Sequence, residues 1–150
     1  MSTFVGDPRL VKFEGSIGER SFDGLRNLEV EATLGDAAQL LPRLLAVGYG
    51  LVDRLTVTDR AGMTRLRVSG GGPDGGRCRI ELNDGDWIVA FSSDGLDHWC
   101  RFLTEAVLGI AAVDHLDLED PASDDVDITF KVQSAYSIVD EAEAKRRLAL

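Results

Sequence analysis

Residues 51–92, LVDRLTVTDRAGMTRLRVSGGGPDGGRCRIELNDGDWIVAFS, hold four alternating apolar runs separated by three turn signals. The runs at 51–58, 63–69, 77–83 and 87–92 repeat every second residue, the period of a strand with one face buried. Asp59-Arg60-Ala61-Gly62 is a turn sequence, and Asp84-Gly85 is a strong two-residue hairpin signal. The glycine-rich stretch at 70–76 has little side chain to pack and reads as a mobile loop. Together these predict a four-stranded antiparallel meander.

Outward from the meander, Leu28, Val30, Ala32 and Leu34 alternate with Glu29, Glu31 and Thr33, and Val126, Ile128, Phe130 and Val132 alternate further on. Both patterns predict half-buried strands, and 10–14 fits a short one. A helix is expected after Asp36, which offers an N-cap with Gln39 as its capping-box partner. Leu40, Leu41, Leu44 and Leu45 would be its apolar face. Pro42 predicts a kink, or a start near that residue, and Gly48 and Gly50 an end. A second helix is expected to be capped by Ser93 or Asp94, with Leu96, Trp99, Leu103, Ala106, Val107 and Ile110 facing the core. A third begins near Asp140, with Glu143 completing a capping box and Lys145, Arg146 and Arg147 at its C-terminal end. No internal repeat is visible. The expected architecture is one α+β domain over 1–150. Its antiparallel sheet is built on the meander, with helices packed on one face as a two-layer sandwich.

A chain of 150 residues buries enough surface to need no disulfide or metal staple. Cys78 and Cys100 form no CxxC pair and read as small core residues. The N-terminal residues lack a basic region followed by an apolar run, and the apolar stretch at 106–113 is too short to span a bilayer. A cytoplasmic protein is expected.

Charge is the most informative feature. The chain has 26 acids and 16 Lys or Arg, for a net charge of −10. The excess is concentrated in 84–127, where Arg101 is the one base. Asp114, Asp117, Glu119, Asp120, Asp124, Asp125 and Asp127 fall within a single run that contains no Lys or Arg. This field attracts cationic partners and repels nucleic acid and anionic membrane. The run DHLDLEDPASDDVD lacks the ligand order, the glycine and the closing glutamate of a calcium loop. A solvated loop or a docking surface is expected there, with Leu116, Leu118 and Trp99 as candidate apolar anchors.

The strand period of the meander places Arg54, Arg65, Arg67, Arg77 and Arg79 on the face away from the core. This is a solvated polar face, an anion-binding one, or a face over which the acidic segment folds back. It shows no interleaved aromatics to stack nucleic-acid bases. Catalytic patterns are absent. His98 and His115 match no metal-ligand spacing, no serine sits in a nucleophile elbow, and the glycine loop has neither the lysine nor the following helix of a phosphate cradle. No cofactor, metal or catalytic residue is expected.

In size, charge and expected architecture the chain is similar to the immunity proteins that neutralise bacterial toxins. That resemblance implies a non-enzymatic inhibitor, monomer or homodimer. It would mask a basic partner protein, such as a toxin, through Asp114, Asp117, Glu119, Asp120, Asp124, Asp125 and Asp127. The alternatives are a secretion-type chaperone for an effector, or a small-molecule or phosphate binder using the arginine face.

Overall fold

The computed structural model describes residues 8–62, 64–72, 78–110, 115–123 and 125–133. The helix expected from Asp140, most of the glycine loop, and Arg77, Asp114 and Asp124 lie outside these residues. In chain order the elements are β1 (Leu10–Lys12), β2 (Ser16–Phe22), β3 (Leu25–Ala32), α1 (Leu34–Gly48), β4 (Arg54–Thr58) and β5 (Arg65–Ser69). They continue with β6 (Cys78–Asn83), β7 (Asp86–Phe91), α2 (Ser93–Leu108), β8 (His115–Glu119) and β9 (Val126–Val132). The fold is α+β, with two helices and two mixed sheets among the described residues.

The antiparallel meander does not form. The five-stranded sheet runs β1-β4-β5-β7-β6, with β1 parallel to β4 and β5 parallel to β7. The chain passes from β5 to the far edge, lays down β6, and returns through β7 into the interior. Burial explains the choice. An interior strand favours a near-continuous apolar run, which Trp87-Ile88-Val89-Ala90-Phe91 supplies. Arg79 and Glu81 are exposed on β6, and charges of that kind suit an edge. The four-stranded sheet runs β2-β3-β9-β8, with β3 parallel to β9.

The sequence shows no internal repeat, yet the strand plan repeats. With β1 set aside, the two sheets have the same plan. β2-β3-β9-β8 corresponds to β6-β7-β5-β4, with antiparallel outer pairs and a parallel central pair in each. The chain therefore lays down ββαββ twice. Local details repeat as well. Both first hairpins turn on Asp-Gly with positive φ at the two central residues, Asp23-Gly24 and Asp84-Gly85. Thr33 and Ser92 cap α1 and α2 through hydroxyls that accept from the amides of Asp36 and Gly95. Asp59 and Asp120 make the turns of the second hairpins, accepting backbone N–H groups from Gly62 and Ala122 respectively. Gly15 and Gly72 each press on the strand two residues before a cap. A Cβ there would lie 1.7 Å from the Glu31 carbonyl oxygen and 2.4 Å from that of Ala90. Each sheet takes two paired strands from each half, so the halves interlock.

Both helices start earlier than their sequences suggest. α1 begins after Thr33, with Asp36 as N3 of the capping box rather than as the cap. Pro42 lies inside α1 on its exposed side, while Ala37, Leu40, Leu44 and Val47 are buried. In α2, Phe102 joins the buried stripe and Val107 points outward. The apolar sides of both sheets and both helices meet in one buried cluster, where Trp99 stacks near Phe91 and edge-on to Phe130. Among the described residues no helix is long and apolar enough to cross a membrane.

Candidate functional site

The acidic segment contains a strand, β8, and runs through a turn into the start of β9. Leu116 and Leu118 of β8 are buried, while His115, Asp117 and Glu119 point to the opposite face. Pairing to β9 sets Asp117 opposite Thr129 and Glu119 directly opposite Asp127. β3, parallel to β9 on its other side, adds Glu29 beside Thr129 and Glu31 beside Lys131. The polar face of the four-stranded sheet thus gathers five carboxylates, Glu29, Glu31, Asp117, Glu119 and Asp127, against Arg20 and Lys131. Glu29 and Glu31 stand some ninety residues before the acidic run, and the charge count along the chain does not single them out. Their alternation with Leu28 and Val30 is the signal that puts them on a polar face. Its neighbour in the sheet is not written in the sequence.

These carboxylates have few cationic partners among the described residues. Among the described residues Glu29 pairs with Arg20, and Asp117 faces His115 Nε2 at 3.4 Å. Asp127 accepts a 2.6 Å hydrogen bond from Asn27 Nδ2, which also donates to Thr129. Asn27 is 4% exposed, and its Oδ1 has no hydrogen-bond partner. No Lys or Arg among the described residues pairs with Glu31, Asp117, Glu119 or Asp127.

Two other acids of the run have different surroundings. Asp125 is exposed beside the Ser123 hydroxyl, at the turn into β9. Asp120 is only 7% exposed, and its Oδ2 accepts the Ile80 amide at 3.0 Å while Oδ1 accepts that of Ala122. It ties edge strand β6 to the end of edge strand β8 and stands apart from the surface patch. The candidate anchors are core residues. Trp99 is fully buried, and Leu116 and Leu118 are nearly so.

Beside the β8 edge lies a cleft of about 380 Å³ lined by Asp94, Gly95, His98, Asp117, Leu118 and Glu119, with Cys78 and Phe91 behind them. The first turns of α2 supply one wall and β8 the other. Among the described residues no three His, Cys, Asp or Glu side chains are arranged to hold a metal ion. Cys78 is buried and free, and burial, reinforced by Asp120, pushes its thiol up to about 11. Burial does the same to Cys100, with Asp97 adding to it. Both thiols stay protonated at neutral pH and are poor nucleophiles.

The polar face of the five-stranded sheet has the opposite sign. Lys12, Arg54, Arg65, Arg67 and Arg79 lie on it with Glu81 and Asp86. Asp86 is nearly buried between two guanidinium groups, 2.8 Å from Arg65 Nε and 3.1 Å from an Arg67 terminal nitrogen. The acidic run takes no part in these pairs. The two sheets, alike in plan, therefore present faces of opposite charge. No protein-family model matches the chain, nor does any curated protein.

Proposed function

We propose that the chain is a non-enzymatic binding protein that masks a basic partner protein, acting as immunity proteins act on toxins. The contact face is the polar side of the four-stranded sheet, with Glu29, Glu31, Asp117, Glu119 and Asp127, continued by the acid-lined cleft beside β8. The helices are taken to pack on the apolar side, which leaves this face open. One observation carries the reading, the direct opposition of Glu119 and Asp127 across the β8–β9 ladder. Like charges facing each other across strands destabilise a sheet, so stability alone does not select them. A cationic partner relieves the repulsion and gains from it. Such a field accelerates encounter and selects the sign of the partner, and occlusion of the partner's cationic site follows from docking. The cleft, lined by Asp94, Asp117 and Glu119, suits the guanidinium or ammonium end of a partner side chain.

The test is co-purification from the source cells at low and at high salt, with the wild type beside the Asp117→Lys/Glu119→Lys variant. The expected result is a basic protein retained by the wild type at low salt, bound more slowly at high salt, and lost by the variant. Recovery of no basic protein at low salt, or equal recovery by the variant, overturns the proposal.

A further inference from the structure

The arginine face of the five-stranded sheet takes no part in the proposed masking. We infer that it is a binding site for the phosphate group of a small molecule, held by Arg54, Arg67 and Arg79 over a floor of Ser69 and Ala90. The register builds the site. Arg54 is opposite Ser69, Ser69 is beside Ala90, and Ala90 is opposite Arg79, so one rung crosses four strands. Arg67 stands two residues before Ser69 on the same face. Neighbouring strands are about 4.8 Å apart, which sets the outer arginine backbones about 14 Å from each other. The floor between them is two small side chains, so both guanidinium groups have room to lean inward.

Three further observations favour an anion there. First, the shared Asp86 carboxylate fixes the Arg65 and Arg67 side chains, so the ordering that an anion would otherwise have to impose is already in place. Second, Arg54 and Arg79 pair with no carboxylate among the described residues. Third, five bases stand here against two acids on a chain of net charge −10. Packing cations together costs repulsion that a bound dianion removes. Arginine forks match phosphate oxygens bidentately, and Thr56, opposite Arg67, adds a hydroxyl on the same face. A small molecule fits better than a nucleic-acid strand. The face carries no aromatic side chain among its described residues, and the acidic remainder of the molecule repels a long polyanion.

Calorimetric titration and thermal melting with inorganic pyrophosphate, and separately with a single-stranded RNA oligonucleotide, test this. Saturable pyrophosphate binding that raises the melting temperature is expected, because a ligand of the native state alone stabilises it. Arg54→Ala/Arg79→Ala should bind pyrophosphate about tenfold more weakly or worse, at the cost expected for a lost charge-assisted bond. Neither residue holds a described ion pair, so the variant is expected to fold. Arg20→Ala, on the other sheet, should bind as the wild type does. Absence of binding at millimolar pyrophosphate, or equal binding by the double variant, overturns the inference. Tighter binding of RNA than of pyrophosphate overturns its small-molecule form. None of these results bears on the acidic face, which is tested through its own partner.

Discussion

Glu119 and Asp127 are the pair in which stability and recognition pull apart. Directly opposed carboxylates cost the free protein, and a cross-strand pair of opposite sign is favourable by about 0.2–1 kcal/mol. Glu119→Lys is therefore expected to raise the melting temperature of the isolated protein while abolishing partner capture. Denaturant unfolding of wild type and variant checks the first half, and an unchanged or lowered stability would remove the repulsion on which the reading of this face rests. Other residues were only partly legible. Leu116 and Leu118 alternate with His115, Asp117 and Glu119, a visible strand signal masked by the density of acid around it. Asp120 looks like its acidic neighbours in the sequence, yet its carboxylate serves the backbone of Ile80 and Ala122. Nothing local distinguishes it, because Ile80 lies forty residues away.

At the scale of elements, Asp36 joins three pieces of structure. It is 1% exposed, and its oxygens accept the amides of Glu14 and Gly15 in the β1–β2 bend as well as that of its own cap residue, Thr33. Removing it leaves three part-buried amides without their acceptor. Asp36→Ala is expected to lower stability by about 3 kcal/mol, from a lost cap plus unsatisfied buried donors. Chemical denaturation measures this, and a loss below about 1 kcal/mol would mean that water replaces the carboxylate. The same residue shows how far propensity reads. An acid after an apolar alternation announces a helix start correctly, but Thr33 three residues earlier is the better cap, and a capping box needs both. Pro42 argues against a helix by about 3 kcal/mol. Burial of Leu40, Leu44 and Val47 along the opposite side outweighs it. β2 escaped notice for the opposite reason. Its Asp23-Gly24 turn is as clear as Asp84-Gly85, but only Ile17 along the strand is buried, so no alternation accompanies it.

For the whole molecule, strand order is what the sequence withholds. Alternation assigns each side chain to a face, and Leu55, Val57, Leu66, Val68, Cys78 and Ile80 are buried opposite the arginine face, with Leu82 partly so. It carries no information about which strand lies beside which, and so the meander was the simplest expectation and the crossing of β7 between β5 and β6 was not foreseeable. The repeated plan was hidden for a related reason. The halves share caps, turns and close-packed glycines rather than a run of identical residues. Interlocking has a measurable consequence. Halves expressed separately, divided within 73–77, are each expected to lack a cooperative transition, since either alone holds hairpins without a sheet to join. Mixed, they should regain the circular dichroism of the intact chain. A half that melts cooperatively by itself would contradict this.

Two identical half-length chains, paired in the same interlocked way, would be bound by symmetry to show one charge pattern twice. A single polypeptide carries no such obligation, and position by position its halves differ: arginine at 65 where the matching strand of the other sheet has aspartate at 127. A molecule with a positive side and a negative side is open to a covalent duplicate and closed to a homodimer.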